Sequence, residues 1–285
     1  MTTLEDRIAR RYSDLSARLR EAADFVAGNP VEVATRSLRS LSSASGVSPA
    51  TFSRLARALG FSSYEELREL SRSAVGERVL TFSEKASRLR ADARARMTMI
   101  ERQAAACIGN IADLEKNMDR ERLREAVDRL GRARNVVLFG AFGSTGIVEY
   151  MAYLANYFTA NWVLAGRMGA SLGAALASIG AEDMLMVVTK SPYAKRAILA
   201  AEIARAAGAG TIVITDSHSC PAIKHADLAF IVPSDSPQFF SSYAATLVLL
   251  ETMIAMLVAR LQGDPADRIR AVEERNRRLG EFWHN

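Results

Sequence analysis

Residues 184–215 read MLMVVTKSPYAKRAILAAEIARAAGAGTIVIT, and this stretch predicts the fold of the longest part of the chain. Its two ends, MLMVV and TIVIT, are short apolar runs without polar alternation, which is typical of strands that are buried on both faces. The segment between them has the apolar spacing of a helix. A strand, a helix and a second strand in this order predict a βαβ unit of a parallel sheet.

Similar units surround this one between residues 129 and 263 and predict an α/β fold. Helical patterns separate the strand-like runs, and a long final helix follows near 240–262. Candidate strands lie at 135–139, 161–164, 184–188, 211–215 and 228–232. Right-handed crossovers between them give a doubly wound, five-stranded parallel sheet flanked by helices. With the strand order 2-1-3-4-5, the expected ligand crevice lies beyond the carboxyl ends of the first and third strands.

Changes in residue pattern divide the remainder of the chain. Residues 1–76 are helical in pattern and predict an all-α domain, and residues 77–128 predict a charged helical linker. A C-terminal helix is expected at 264–285, after the 129–263 domain. In the linker, apolar residues recur at steps of three and four from Ala86 to Ile111, which predicts one long helix with an apolar stripe. The stripe either packs against the chain's own C-terminal domain or carries a dimer contact.

The composition predicts a soluble protein of the cytoplasm, with 49% hydrophobic residues among 285. Cys107 and Cys220 form no CxxC or Cys/His spacing, so neither a disulfide framework nor a metal site is expected, and no cofactor is predicted. The opening segment is charged throughout, unlike a signal peptide. The apolar run at 244–259 is interrupted by polar residues, so no membrane span is expected.

The positive charge of the chain is concentrated where an anionic partner would bind. The formal net charge is +5, and residues 33–64 contain no Asp or Glu. The same window holds Arg36, Arg39, Arg54 and Arg57 together with many Ser and Thr residues. A window that is free of acids and rich in Arg and hydroxyl groups is typical of a surface that contacts the phosphate backbone of nucleic acid.

Within this window, SLRSLSSASGVSPATFSRLARALG (37–60) predicts a helix-turn-helix. The first helical pattern ends at Gly46. Ser48 is placed to cap the second helix through its hydroxyl, and Pro49 fits the first helical position, where no amide donor is needed. The turn between the helices has three or four residues, which is the length that the motif requires.

The second helix of this motif has one apolar face and one polar face. Phe52, Leu55 and Leu59 share the apolar face, which leaves hydroxyl and guanidinium groups on outward or flanking positions. The residues predicted to meet DNA are Arg36, Arg39, Ser48, Pro49, Thr51, Ser53, Arg54 and Arg57. The alternative is a plain helical hairpin with a solvated arginine face.

The run VSPATFSRLARALGFSSYEELR (47–68) resembles the recognition helix and following segment of the RpiR family of bacterial regulators. The resemblance extends over residues 13–75. In that family this domain is joined to a sugar isomerase (SIS) domain, and residues 129–262 are similar to one: VVLFGAFGSTGIV (136–148) resembles its first loop, and 184–215 its third-strand unit. The resemblance implies a DNA-binding transcription regulator that binds a double-stranded operator as a homodimer or homotetramer. It also implies a small anionic effector, such as a sugar phosphate or a related acid metabolite.

Two loops at the expected crevice carry the groups that an anionic ligand needs. In GAFGSTG (140–146), glycines leave room for close backbone approach and hydroxyls are available to donate. The family usually carries a Ser-x-Ser-Gly stretch followed by an acidic residue and a threonine. In TKSPYAK (189–195), Pro192 stands at the glycine and Ala194 at the threonine, so the charge of nearby lysines is expected to hold the anion. The predicted effector-binding residues are Gly143, Ser144, Thr145, Thr189, Lys190, Ser191, Tyr193 and Lys195. Tyr193 either walls the pocket or packs into the core, and the resemblance places Ser241 or Ser242 near the ligand.

Two other functions fit parts of the sequence. A sugar-phosphate isomerase would need an acid and a base at the crevice. His218, His225 and Glu149 are candidates, but their spacing brings no acid/base pair to the two loops, so no catalytic residue is predicted and the chain is expected not to be an enzyme. The third possibility is a DNA-binding protein whose C-terminal domain no longer binds a ligand.

Overall fold

A computed structural model describes residues 4–78, 82–91, 97–167, 169–260 and 265–283. The chain divides into two compact units. The first unit comprises residues 1–117 with the short segments 217–220 and 235–242. The second unit comprises residues 118–216, 221–234 and 243–285.

The first unit begins with a helical domain that is built around one apolar core. Its helices are α1 Leu4–Arg11, α2 Ala17–Gly28, α3 Pro30–Thr35, α4 Leu38–Ser45, α5 Pro49–Ala58 and α6 Tyr64–Arg78, with a 3-10 turn at Tyr12–Asp14. Phe52 and Leu55 of α5 are fully buried and belong to the same apolar cluster as Leu41 of α4 and Leu67 of α6. Burial of α5 on this side fixes which of its faces remains open to a partner.

The helix-turn-helix boundaries predicted from the sequence are confirmed. Gly46 follows α4 in the left-handed region, with φ of 70°, which ends the helix at little cost for a glycine. The Ser48 hydroxyl accepts a hydrogen bond from the Thr51 N–H at 3.2 Å, and Pro49 occupies the first position of α5. The turn and the cap together set the orientation of α5 relative to α4.

The single long helix predicted across the linker is wrong, because two helices occupy this region, α7 Phe82–Ala91 and α8 Met99–Asn117. A new helix begins after Thr98: the Thr98 N–H and hydroxyl donate to Glu101, whose own N–H donates to the Thr98 hydroxyl. Residues 92–96, which include part of the predicted stripe, lie outside the described residues.

The apolar stripe on α8 is open to solvent in the part of the chain that the structure describes. The side chains of Ile100 and Ile108 are 74% and 67% exposed, respectively. Buried positions on α8 are Asn110 and Leu114 instead. Ile100 and Ile108 are therefore not on the buried side of α8.

The second unit contains the parallel sheet. Its strands are β1 Val136–Gly140, β2 Trp162–Leu164, β3 Met184–Val188, β4 Gly210–Thr215 and β5 Leu228–Ile231. The sheet order is β2-β1-β3-β4-β5 and every pairing is parallel, as predicted. All residues of β1 and β3 are buried, which agrees with their uninterrupted apolar sequences.

Helices cover the sheet in the second unit. They are α9 Arg120–Arg132, α10 Ser144–Phe158, α11 Leu172–Ala177, α12 Lys195–Ala206, α13 Ala244–Arg260 and α14 Pro265–Leu279, with a 3-10 helix at Pro221–His225. The predicted helix near 240–262 begins only at Ala244, so residues 240–243 form a loop. Among the described residues, no helix is long and apolar enough to cross a membrane.

The sheet register brings the two predicted ligand loops side by side. Gly140, the last residue of β1, pairs with Val188, the last residue of β3. The loop after β1 and the loop after β3 therefore leave the sheet at the same edge, where ligands of open parallel sheets bind.

Candidate functional site

Most of the residues predicted to meet DNA are exposed, on α5, at its N-cap, or on and just before α4. Those with exposed side chains are Arg36, Arg39, Ser48, Pro49, Arg54 and Arg57, and Ser53 is half-buried. The structure corrects the prediction for Thr51, which is only 6% exposed. Its hydroxyl lies 2.9 Å from Ser48 Oγ, so Thr51 packs at the start of α5 and shapes the cap.

Arg54 is held along α5 by weak contacts on the same helix. Its Nε donates to the Ala50 carbonyl and its Nη2 to Thr51 Oγ1, both at 3.4 Å. Arg36 differs, because its Nη2 lies 3.3 Å from the Glu32 carboxylate, just before the acid-free window. Arg54 therefore offers a guanidinium that is directed toward the N-terminal end of α5, the end that contacts base edges in helix-turn-helix proteins.

The loop after β1 is a tight turn with a strained residue. A Cβ at Gly140 would lie 2.5 Å from the Ser144 carbonyl, so the turn requires glycine there. Phe142 adopts a left-handed φ of 52° with its side chain 77% exposed. Such strain in a non-glycine residue is characteristic of ligand loops. The Thr145 hydroxyl donates to the Gly140 carbonyl at 3.3 Å and stabilises the turn from within.

Tyr243, which the sequence analysis did not identify, connects the two predicted loops. Its hydroxyl lies 2.9 Å from Ser144 Oγ, and the ammonium of Lys190 lies 5.0 Å from its ring centroid. A Cβ at Gly143 would lie 3.3 Å from the same hydroxyl. The space that Gly143 leaves is thus used by Tyr243. The only sequence signal nearby was the resemblance that pointed to Ser241 or Ser242.

Lys190 is a buried cation at the carboxyl edge of the sheet. Its side chain is 6% exposed, and burial lowers the pKa of the ammonium to about 8, an effect partly opposed by the Asp216 carboxylate. The Tyr243 ring supplies a cation–π contact. Burial also raises the pKa of Tyr243, so its hydroxyl stays protonated at neutral pH.

Asp216, at the end of β4, engages the loop after β3. The N–H of Ser191 donates to both carboxylate oxygens of Asp216, at 3.1 and 3.3 Å. The N–H of Thr189 donates to the Ile214 carbonyl at 3.0 Å. Two backbone donors of this loop, the N–H groups of Thr189 and Ser191, are therefore already used within the chain. Of the remaining predicted residues, Lys195 is exposed at the start of α12 and Tyr193 is half-buried.

The acid/base candidates Glu149, His218 and His225 lie on separate segments of the chain. The Glu149 carboxylate on α10 accepts a hydrogen bond from Arg167 Nε at 2.7 Å. His225 belongs to the 3-10 helix before β5, and the ring of His218 stacks on Tyr12 at a centroid distance of 6.1 Å. Within the described residues, no group of three His, Cys, Asp or Glu side chains is placed to hold a metal ion.

Comparisons with known proteins identify both halves of the chain. Residues 2–74 match the family described as helix-turn-helix domain, rpiR family, and residues 129–256 match the SIS domain. No curated protein matches the chain.

Solved structures of other proteins share the fold. The NanR protein of Vibrio vulnificus, solved in complex with ManNAc-6P, is 19% identical, with a TM-score of 0.59 over 97% of this chain and 99% of that one. The sugar isomerase domain of an RpiR transcription factor from Sphaerobacter thermophilus is also 19% identical, with a TM-score of 0.58 over 64% of this chain and 99% of that one.

Proposed function

Because the chain belongs to the RpiR family, with an rpiR-type helix-turn-helix domain followed by a SIS domain, we propose that it is a transcription regulator controlled by a small anionic effector. The observation that carries the proposal is the surface of α5. Arg54 and Arg57 are exposed there on a capped helix whose other face is buried in the domain core. This is the arrangement by which a recognition helix enters the major groove.

The DNA-binding part of the proposal requires more than one copy of the chain. A symmetric dimer presents two recognition helices, and these match a palindromic operator whose half-sites lie about one helical turn apart. The exposed stripe on α8, at Ile100 and Ile108, is the surface that we propose for contact between copies. Arginines flanking α5 then bind phosphates on both sides of the groove.

The effector part of the proposal places a ligand at the carboxyl edge of the sheet. Ser144, Lys190 and Tyr243 meet there, beyond the ends of β1 and β3. A sugar phosphate is the effector class that we propose, since the structurally similar NanR was solved with ManNAc-6P. Such a ligand changes DNA binding only if its affinity differs between the two states of the protein.

The test is a selection of duplexes from a random DNA library with the full-length protein. We expect enrichment of a palindromic sequence, followed by release or tightening of that duplex when a panel of sugar phosphates is added. Failure to enrich any sequence would contradict the regulator. Enrichment of a sequence without a response to any of the sugar phosphates would support DNA binding and contradict control by a sugar-phosphate effector.

A second candidate is a DNA-binding protein whose SIS domain binds no ligand. The contacts of Ser191 with Asp216 and of Tyr243 with Ser144 favour it, because groups that would hold a ligand are paired with each other. Thermal unfolding with the same panel separates the candidates, since a ligand that binds only the folded state raises the melting temperature. No rise with any sugar phosphate supports the second candidate.

A further inference from the structure

A cleft of about 460 Å³ lies in the second unit beside the loop that follows β2. We call it the arginine cleft, because two arginines and three glycines are among the residues that line it. The lining residues are Gly166, Arg167, Gly169, Ala170, Ser171, Leu172, Gly173 and Arg196. No carboxylate is among the described residues of this lining.

Arg196 of α12 supplies the positive charge of the arginine cleft that no described carboxylate neutralises. Its guanidinium carbon lies 5.6 Å from the ring centroid of Phe139 in β1, which anchors the side chain over the end of the strand. In the part of the chain that the structure describes, no carboxylate lies within 4.0 Å of this guanidinium. Arg167 is different, because its Nε binds Glu149 at 2.7 Å. The cleft therefore carries about one uncompensated positive charge.

Glycine allows the backbone to approach Arg196 closely. Gly166 has a φ of 80°, and a Cβ there would lie 3.5 Å from Arg196 Nη2 and 3.0 Å from the Phe139 ring. Gly169 also has a positive φ, of 87°. A side chain at residue 166 would thus both strain the loop and occupy the space beside the guanidinium.

A second charged cleft, at the opposite edge of the sheet, shows what makes the arginine cleft distinctive. It is lined by six arginines and six carboxylates, among them the ion pairs of Arg134 with Asp183 and of Arg260 with Asp128. Its charges balance, so it has no net attraction for an anion. Only the arginine cleft, of these two, combines free guanidinium charge with open space.

We propose that the arginine cleft binds the anionic group, a phosphate or a carboxylate, of a small metabolite. The planar guanidinium of Arg196 forms paired hydrogen bonds with such a group. Arg167 also lines the cleft and, although its Nε is bound to Glu149, its terminal N–H groups can add donors. The loop after β3 is less suited to this task, because Asp216 already occupies the Ser191 N–H. The identification of this metabolite as the effector rests on the proposed function; the anion binding itself does not.

Phosphorus NMR of inorganic phosphate, titrated into the full-length protein, tests the assignment. We expect saturable broadening of the phosphate line by the unsubstituted protein. Arg196→Gln should weaken this binding at least tenfold, and Arg167→Gln about threefold. Arg205→Gln is the matched control, since it removes an exposed arginine from the other end of α12 and should leave binding unchanged. Acetate should compete with phosphate for the site if it accepts carboxylates.

The outcomes separate the proposals from each other. Equal loss in Arg196→Gln and Arg205→Gln would show attraction by net charge alone and overturn the site, as would unchanged binding in Arg196→Gln. Circular dichroism checks that the variants fold. If Arg196→Gln does not fold, the threefold loss expected for Arg167→Gln tests the site instead, and unchanged phosphate binding in Arg167→Gln would then overturn it. DNA selection with Arg196→Gln should enrich the same sequence as the parent. Phosphate binding without any DNA enrichment would contradict only the regulator.

Discussion

The hydroxyl of Tyr243 lies 2.9 Å from Oγ of Ser144 and joins two segments that are 99 residues apart in the chain. The contact closes the first loop of the SIS domain against the residues that precede α13. Because Lys190 packs on the same ring, one side chain connects the loop after β1 with the loop after β3. The loops after β1 and β3 are thus linked through Tyr243 at the edge of the sheet where a ligand is expected.

Tyr243→Phe should reduce the free energy of unfolding by about 0.5–1.5 kcal/mol, because it removes one partly buried hydrogen bond and keeps the ring. Tyr243→Ala should cost more, since the ring also packs on Lys190. Urea unfolding gives both values. The control is Tyr153→Phe, which removes an exposed hydroxyl contact with Tyr157 and should change the stability little. Equal effects at residues 153 and 243 would refute a specific role for the Ser144 contact.

Arg54→Ala should weaken operator binding by about 1–3 kcal/mol if Arg54 reads a base, and by less if it touches only phosphate. Arg57→Ala should mainly remove a contact with a DNA phosphate, and this loss should lower the salt dependence of binding. Gel shifts at several salt concentrations measure both effects. Arg270→Ala, an exposed arginine on α14, serves as the control for net charge. Unchanged affinity in the Arg54→Ala, Arg57→Ala double variant would exclude α5 as the recognition helix.

The stability of the protein should depend on Lys190 above pH 8. Its pKa is lowered to about 8 in the folded protein, against an ordinary value of 10.5. Below pH 8 the ammonium is charged in both states and its burial cost is fully present. Between pH 8 and 10.5 the folded state loses the proton first, so the free energy of unfolding rises in this window.

Urea unfolding of the parent and of Lys190→Met between pH 7 and 10.5 measures this dependence. The parent should gain stability relative to Lys190→Met as the pH rises. Lys195→Met replaces an exposed lysine and should run parallel to the parent. A constant difference between the parent and Lys190→Met across the window would show that Lys190 keeps an ordinary pKa.

Ionisation of Asp183 should make the free energy of unfolding fall more steeply as the pH decreases from about 4 to 2. Asp183 accepts hydrogen bonds from Arg134, Asn135 and the Gly180 N–H, and the bonds with Arg134 lower its pKa to about 2, from an ordinary value of 3.8. Its contribution to stability is complete above about pH 4 and is lost as the pH falls toward 2. Asp183→Asn should therefore cost about 1.5–3 kcal/mol at pH 6, the range for hydrogen bonds to charged groups.

The difference between the parent and Asp183→Asn should shrink as the pH falls from 4 to 2.5, as measured by urea unfolding. Asp267→Asn is a suitable control, because its ion pair with Arg270 is exposed on both sides and is worth little. A difference that persists unchanged at pH 2.5 would argue against the ionised carboxylate as its source.

The double variant Ile100→Glu, Ile108→Glu should shift the protein toward a monomer. Both side chains are largely exposed on α8, and new carboxylates there would oppose burial between copies. Light scattering at micromolar concentration compares the variant with the parent. A monomeric parent would contradict the oligomer, and an oligomeric variant would move the contact to another surface. Leu199→Glu on α12, at an exposed apolar residue outside the stripe, is the control.

The strands and helix α5 were predictable because local sequence is sufficient for them. An uninterrupted apolar run such as 184–188 can be satisfied only between two covering layers, and a Ser-Pro step at Ser48 and Pro49 starts a helix in almost any setting. The long helix expected from Ala86 to Ile111 failed for a related reason. Apolar spacing continues through Thr98, but the capping bonds of Thr98 with Glu101 start a new helix there.

The sequence by itself determined the two-domain order, the parallel sheet and the loops at its carboxyl edge, since period, caps and charge act over a few residues. Only the tertiary structure decided which groups meet at that edge. Tyr243 on Ser144, Asp216 on the Ser191 N–H, and Arg196 on Phe139 are contacts between segments that the sheet order brings together. Their chemistry depends on distance and burial, and neither quantity is set by neighbours in the sequence. From the sequence alone, a lysine in a loop is expected to be a solvated charge. The fold buries Lys190, and that burial changes the pKa of its ammonium.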